Sequence, residues 1–516
     1  MLKFINLLIF LLPPWYTRPE INFSGDTVWI HFKTQNPSSA FKLVYGPVYS
    51  PWDLTFHKYT VSRITDTLHA FPLLDLKPET LYILKGAFFD SVTRIYYATQ
   101  NYFFRYTIKN GKPKEGIVID VGPYLSMLDE NDFSVSFYTN VPVKAELYLN
   151  SKLIKRSDSE SFRHEFILTD LKPGSYSYFV KIFNEEDTLT SFKYHFEVVK
   201  YPQIKIGVFG DTRGNPNSVN PGFFVDGVNE EIIRSIMKEF YNQGVDVVII
   251  LGDLITGRMK EWDYAEAEYK SFLKACWPYC AFIPVMPVPG NHDMIAPVME
   301  DEEKRFNPPP PYSAEDLWAK VFALPTNGPD NEPGKPPYKE NVYMIRYGKL
   351  TIYALNSDYN YVHYKNKPNP KTRVPDSLQR QWLAQKVKEN KDSKVNILFF
   401  HEPLIGLGIE YRGEREPYTD SIADFYKNLG FNFYIASHDH MYARGRLFNG
   451  LVQIVTGGGG APLYDLKNTI DEKKDIKLGC YRKAFNYLIL SLTKGHRIKI
   501  TVKTLNGETI EELLLP

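Results

Sequence analysis

Cysteine is nearly missing from this chain: Cys276, Cys280 and Cys480 are the three that occur. No disulfide framework can therefore hold the fold, and at least one thiol stays unpaired. Cys276 and Cys280 flank Trp277, Pro278 and Tyr279, a spacing without the second pair that a zinc site needs, so both read as buried thiols with no chemical role. An excess of either charge is missing too. With 61 basic against 60 acidic side chains, the overall balance draws the chain neither to nucleic acid nor to an anionic membrane, and no nucleic-acid partner is expected. Long apolar runs are also absent. Past the N-terminus nothing approaches the roughly 18 uninterrupted apolar residues of a membrane helix, so no span is expected in the body of the chain. The notable apolar run is Phe4 to Leu12, broken by Asn6 and preceded by Lys3. It has the length of a signal-peptide core and is too short to cross a bilayer. Export to a periplasm, a cell surface or the medium is the expectation from residues 1–18. Pro13-Pro14-Trp15-Tyr16 offers no small-residue cleavage site, which leaves an uncleaved anchor or a first β-strand as alternatives.

What is present is ordinary globular composition, 43% hydrophobic and 23% charged, in a chain of 516 residues, too long for one core. Residues 19–200 read as short β-strands with almost no helical periodicity. Thr27 to Phe32, Phe41 to Tyr45 and Ser134 to Tyr138 alternate or cluster β-formers between turn residues. A weak repeat is visible: Asp75-Leu76-Lys77-Pro78 leads to Tyr82, and Asp170-Leu171-Lys172-Pro173 leads to Tyr176 and Tyr178. The offset is that of one β-sandwich, and a Leu-x-Pro turn before a strand tyrosine resembles the tyrosine corner of fibronectin type III modules. Polar stretches at Lys109 to Lys114 and Lys200 to Pro202 mark borders. The organisation expected is a fibronectin type III-like sandwich at 19–110, a second at 111–200 and an α/β domain at 201–516.

After Tyr201 the grammar becomes βαβ. Strands are expected at Ile204–Phe209, Val245–Leu251, Ile283–Val288, Leu350–Leu355, Val395–Phe400 and Phe431–Ala436, with helices at Asn229–Tyr241 and Ser377–Lys388. The proline run 308–311 and the stretch 328–337 read as surface loops. Metal-ligand residue types follow five of these strands: Gly210-Asp211, Gly252-Asp253, Gly290-Asn291-His292-Asp293, His401, and His438-Asp439-His440. Ligands of open α/β sheets gather outside the carboxyl ends of strands, so these residues can converge on one rim. Aspartate, asparagine and histidine without thiolate suit Mn, Fe or Zn. Two cations sharing a carboxylate can acidify a water and clamp phosphoryl oxygens for in-line attack.

The ordered set Gly-Asp, Gly-Asp, Gly-Asn-His-Asp, His and His-x-His resembles the calcineurin-like metallophosphoesterases, including the purple acid phosphatases, over roughly residues 203–465. Gly122-Pro123-Tyr124-Leu125 is similar to the start of the sandwich that precedes the catalytic domain in purple acid phosphatases. The resemblance implies a β-sandwich flanked by helices and two divalent or mixed-valence metal ions. It places Asp211 and His440 on the first ion, Asn291, His401 and His438 on the second, and Asp253 between them. His292 would lie beside the phosphate and protonate the leaving oxygen, with Asp293 either orienting its imidazole or capping a helix. The implied activity is hydrolysis of a phosphorylated small molecule, foremost a phosphomonoester. The alternatives are a phosphodiesterase for cyclic nucleotides or headgroups, or a surface adhesion protein with an inactive phosphoesterase-like domain.

Two departures stand out. The family's first motif is Asp-x-His, whereas this chain has Asp211-Thr212-Arg213, and a guanidinium offers no lone pair to a metal. Arg213 is expected either to grip substrate phosphate or to brace a carboxylate such as Asp211. The tyrosine that purple acid phosphatases carry three residues after the second aspartate is Thr256 here, so no iron-tyrosinate colour is expected. Tyr442 and Arg444 either line the pocket or pack away from it, and Gly457 to Gly460 either make a tight turn or allow close backbone approach to the site.

Overall fold

The computed structural model describes residues 18–24, 27–92, 94, 96–214, 224–225, 227–257, 262–294, 311–359, 374–408, 419–466 and 476–516. The apolar N-terminal run and prolines 308–310 lie outside these residues; 330–335 form an exposed loop, as expected.

The two N-terminal modules repeat one design. In the first, Thr27–Pro47 is a single long strand. Its opening half pairs with Glu20–Ser24 and Asp66–Leu73, and its closing half with Lys58–Ser62 and Tyr82–Asp90. A register shift between Lys33 and Ser38 turns the strand from one layer into the other. The two runs at Thr27 and Phe41 are therefore halves of one strand, not separate strands. In the second module Asp132–Leu149 does the same, shifting register between Tyr138 and Val143. Alternating burial along Asp66–Leu73, Ser161–Leu168 and Tyr194–Val198 sends every second side chain inward. The expected tyrosine corners are formed. Tyr82 Oη accepts from Lys77 N at 2.7 Å, and Tyr176 Oη accepts from Lys172 N at 3.0 Å. Asp75 and Asp170, at the matching positions, both take positive φ, 56° and 58°. The expected border at 110/111 falls in the turn of a small hairpin, Tyr106–Lys109 with Lys112–Glu115, which pairs with neither sandwich.

The remaining chain builds two mixed sheets. One has six strands, with Lys205–Phe209, Val247–Leu251 and Val285–Val288 parallel and closed by antiparallel Asn486–Leu492, Ile498–Thr504 and Thr509–Leu515. The other has seven strands, in which Leu350–Ala354, Val395–Phe399, Phe433–Ala436 and Val452–Thr456 run parallel. The parallel strands are almost wholly buried apolar runs because helices cover them. Glu230–Asn242 starts where the Asn229 side chain accepts from Ile232 N, and it buries Ile233, Ile236, Met237 and Phe240 against the first sheet.

Packing does not break at residue 200. One apolar cluster runs from Val121, Leu125, Val135 and Phe196 of the second sandwich into Val248, Phe272 and Met286 of the α/β domain. Tyr178 Oη donates to Ala281 O at 2.8 Å, Tyr124 Oη donates to Val321 O at 2.7 Å, and buried Lys274 pairs with Asp120 at 3.1 Å. The first module reaches the same domain through Lys85 and Asn101, which both contact Glu230.

Candidate metal centre

Every candidate donor follows a strand that ends at one rim. Asp211, Asp253 and Asn291 come from the six-stranded sheet; His401, His438 and His440 come from the seven-stranded one. Asp211, Asp253 and His438 take φ values of +60°, +51° and +68°, in the left-handed region that side chains with a Cβ avoid. The turns hold one another there. Asp211 N donates to Gly252 O at 3.0 Å, Arg213 N to Asp253 O at 3.0 Å, and His438 N to Asp211 Oδ2 at 2.7 Å. At Gly252 (φ +74°) an added Cβ would lie 2.6 Å from Gly290 N and 2.7 Å from His401 Nδ1, so the motif glycine is needed for backbone crowding as well as for its φ. Gly457 settles the reading left open for its run: a Cβ there would stand 2.7 Å from Asp211 Oδ2, so this backbone approaches the site itself.

The side chains form two groups that share Asp253. Asp211, Asp253 and His440 make one; Asp253, His401 and His438 make the other, and within each the donor atoms lie within 4.8 Å of one another. In the second group His401 Nε2 lies 2.9 Å from His438 Nδ1, 3.2 Å from Asn291 Oδ1 and 3.3 Å from Asp253 Oδ1. Nδ1 of His401 faces Leu251 O at 2.7 Å, so its proton sits on that side and Nε2 is presented to the site. Burial opposes a charge on this ring, but Asp253, Asp211 and Asp358 outweigh it and push its pKa up to about 9. Four donor atoms converging this closely fit a cation. In the first group His440 Nε2 lies 3.4 Å from Asp211 Oδ1, which accepts no hydrogen bond among the described residues. That orphaned oxygen also calls for positive charge.

Arg213 is turned into the first group. Its Nη2 lies 3.4 Å from His440 Nε2 and its Nε 3.4 Å from Asp253 Oδ2. The carboxylate it touches is thus Asp253, whereas Asp211 was the example expected. His292 lies at the junction, with its backbone N–H donating to Asp253 Oδ1 at 2.8 Å and its Nε2 3.7 Å from Asp253 Oδ2.

One expectation is corrected. Asp293 does not orient the His292 imidazole: Nδ1 of that ring faces Thr256 O at 2.6 Å. The helix that Asp293 was alternatively expected to cap lies outside the described residues, which break off after Met294. The Asp293 carboxylate turns inward to accept from Gly290 N at 2.9 Å and Leu254 N at 3.2 Å, tying together the two loops that carry Asn291 and Asp253. Burial first, and the Asp253 charge second, push it up to about 8. Of the two readings left open for Tyr442 and Arg444, packing away from the pocket holds: both bind Glu511 of the C-terminal strand, the arginine with Nη2 at 2.6 Å and Nε at 2.9 Å. Thr256, in the place of the tyrosine, donates to Gly214 O at 2.8 Å and holds a neighbouring loop. Cys276 and Cys280 are buried free thiols, as expected.

Three site residues were not foreseen. Asp358, fully buried beside His401, is raised by burial against the pull of His401, Ser357 and Glu402. Glu402 lies 3.9 Å from His438 Nε2, and Tyr464 stacks on His440 with ring centroids 4.0 Å apart. The signal for Asp358 was weaker: it lies four residues past the end of Leu350–Ala354, whereas Asp211 and Asp253 each lie two residues past the ends of their strands.

Residues 204–442 match the family model of the calcineurin-like phosphoesterases. No curated protein sequence matches the chain. A purple acid phosphatase from yellow lupin (Lupinus luteus) seeds superposes with a TM-score of 0.59 at 12% identity, over 95% of this chain and 94% of that one, which establishes a shared fold. A dimetal phosphatase from Danio rerio (TM-score 0.39, 13% identity) covers 61% of this chain and 99% of that one. The GAP50 anchor of the Plasmodium inner membrane complex (0.39, 14%) covers 61% of this chain and 88% of that one.

Proposed function

We propose, from the premise that residues 204–442 belong to the calcineurin-like phosphoesterase family, that this chain is a metal-dependent hydrolase of phosphoesters and that its substrates are phosphomonoesters of small molecules. The observation that carries this reading is Asp253. One carboxylate joins both donor groups and also stands beside His292 and Arg213, so cation binding, phosphate recognition and proton transfer share one point.

Asp253, Asn291, His401 and His438 would hold a divalent cation at the second group, which would supply Lewis acidity toward a phosphoryl oxygen. The remaining work falls to the chain. Leu251 O and Pro462 O take the Nδ1 protons of His401 and His440, fixing both rings so that their Nε2 atoms face inward. Thr256 O does the same for His292 and leaves its Nε2 to hold the proton that a leaving alkoxide needs. Arg213 brings a permanent positive charge, which suits a terminal phosphoryl group better than a diester of lower charge. With Thr256 engaged by loop backbone and no tyrosine in its place, no coloured iron-tyrosinate is expected.

The test is turnover of a panel of phosphomonoesters and phosphodiesters by the full chain in Mn, Zn or Fe(II). Monoester hydrolysis exceeding diester hydrolysis in kcat/KM supports the reading. Diester preference would move the substrate class, and no turnover of either would leave a phosphoesterase fold with a binding role.

A further inference from the structure

We propose that the guanidinium of Arg213 stands in the first cation position, so that this chain retains one tightly held metal ion where the donor pattern suggests two. The inference rests on the metallophosphoesterase reading and narrows it.

The argument begins at His440. Its Nδ1 lies 2.7 Å from Pro462 O, so the ring proton is on Nδ1 and the lone pair is on Nε2. That lone pair is what a metal in the first group would take. It already receives a donor, because Nη2 of Arg213 points its N–H at Nε2 from 3.4 Å. A single lone pair serves the guanidinium or a cation, not both.

Asp253 divides along the same line. Its Oδ1 faces the second group, 3.3 Å from His401 Nε2, and also takes the His292 N–H. Its Oδ2 faces Arg213 Nε at 3.4 Å. The guanidinium therefore bridges the two first-group donors, His440 and Asp253, as a cation there would. Its charge sits against His440, the ring whose Nε2 lies 3.4 Å from the orphaned Oδ1 of Asp211. A guanidinium is protonated at every working pH, so a second cation entering this position meets a fixed like charge at close range. Arg213 is pinned as well. Its own N–H holds Asp253 O at 3.0 Å, and its side chain is only 12% exposed, so the charged end cannot easily swing out.

The second group keeps four donors, counting the shared Asp253 through its Oδ1, and neither Asp211 nor His440 is among them. Tight loading should therefore depend on Asp253 and be indifferent to Asp211. With histidine at position 213, the first position regains a lone pair and loses the competing charge.

The test is metal-to-chain stoichiometry of the full-length protein, stripped with chelator, reloaded with Mn or Zn, desalted and measured by inductively coupled plasma mass spectrometry. The expected ratios are one for the wild type, one for Asp211→Asn and two for Arg213→His. A wild-type ratio of two overturns the stand-in and leaves the hydrolase reading intact. A folded Arg213→His that stays at one overturns it as well. If that variant does not fold, Asp211→Asn decides: loss of the single ion there would place that ion in the first position and overturn the proposal. A wild-type ratio of zero under saturating metal overturns both this inference and the metal-dependent reading beneath it.

Discussion

The Thr256 carbonyl lies 2.6 Å from Nδ1 of His292, and this contact decides which face of the ring does chemistry. With Nδ1 committed as a donor, only Nε2 is left to exchange a proton with a substrate. His292→Ala should therefore lower kcat for an alkyl phosphate by about 10²–10⁴-fold, the usual range for a general acid. The loss should shrink for an activated aryl phosphate whose leaving group needs no proton. Equal losses on both substrates would remove the assignment.

Asp253 tests the shared carboxylate. Asp253→Asn keeps the shape but loses the charge that joins the donor groups. Bound metal and hydrolysis should fall together, with the far-ultraviolet circular dichroism unchanged. Retained metal with lost turnover would mean that Asp253 acts on substrate and not on cations.

A third prediction concerns acid. Glu230 is half-buried, and its partial removal from water opposes its charge, yet Lys85 and Arg234 draw its pKa down to about 2 from an ordinary 4.5. Because the folded value is the lower one, its contribution is complete above pH 4.5 and is lost as pH falls from there toward 2. The shift corresponds to about 3 kcal/mol. At pH 7 Glu230→Gln should be less stable by roughly that order, and the gap should close on acidification through this window. Urea unfolding at a series of pH values checks it; a constant gap would deny the linkage.

The shared core predicts joint unfolding. Tyr178→Phe leaves Ala281 O without its donor in a buried place and should cost about 1–3 kcal/mol. The variant should shift one calorimetric transition that includes the second sandwich and the α/β domain. Movement of a separate sandwich transition alone would show that the interface is not cooperative.

Much of this was legible because strand-end ligands announce themselves in order. Asp211, Asp253, Asn291, His401, His438 and His440 each follow an apolar strand, and the strand ends bring them together. The tyrosine corners at Tyr82 and Tyr176 were readable for a similar reason: the turn and its tyrosine are close in sequence. What was hidden depends on contacts between distant segments. No local pattern shows that Thr256 O, rather than Asp293, would meet the His292 ring, or that Tyr442 and Arg444 would turn toward Glu511. The long strand Thr27–Pro47 was read as two because Pro37 and its polar neighbours look like a break, while the sandwich uses them as a bend between layers. The continuity of the core across residue 200 was equally out of reach, since a polar linker gives no hint of what its flanking domains bury.

The most direct measurement is hydrolysis of an aryl phosphomonoester by the full chain before chelation, after removal of metal, and after readdition of Mn, Zn or Fe(II). The account predicts that turnover disappears with the metal, returns on readdition and stays absent in Asp253→Asn under every condition. Undiminished turnover in the stripped protein, or equal turnover by Asp253→Asn, would contradict it.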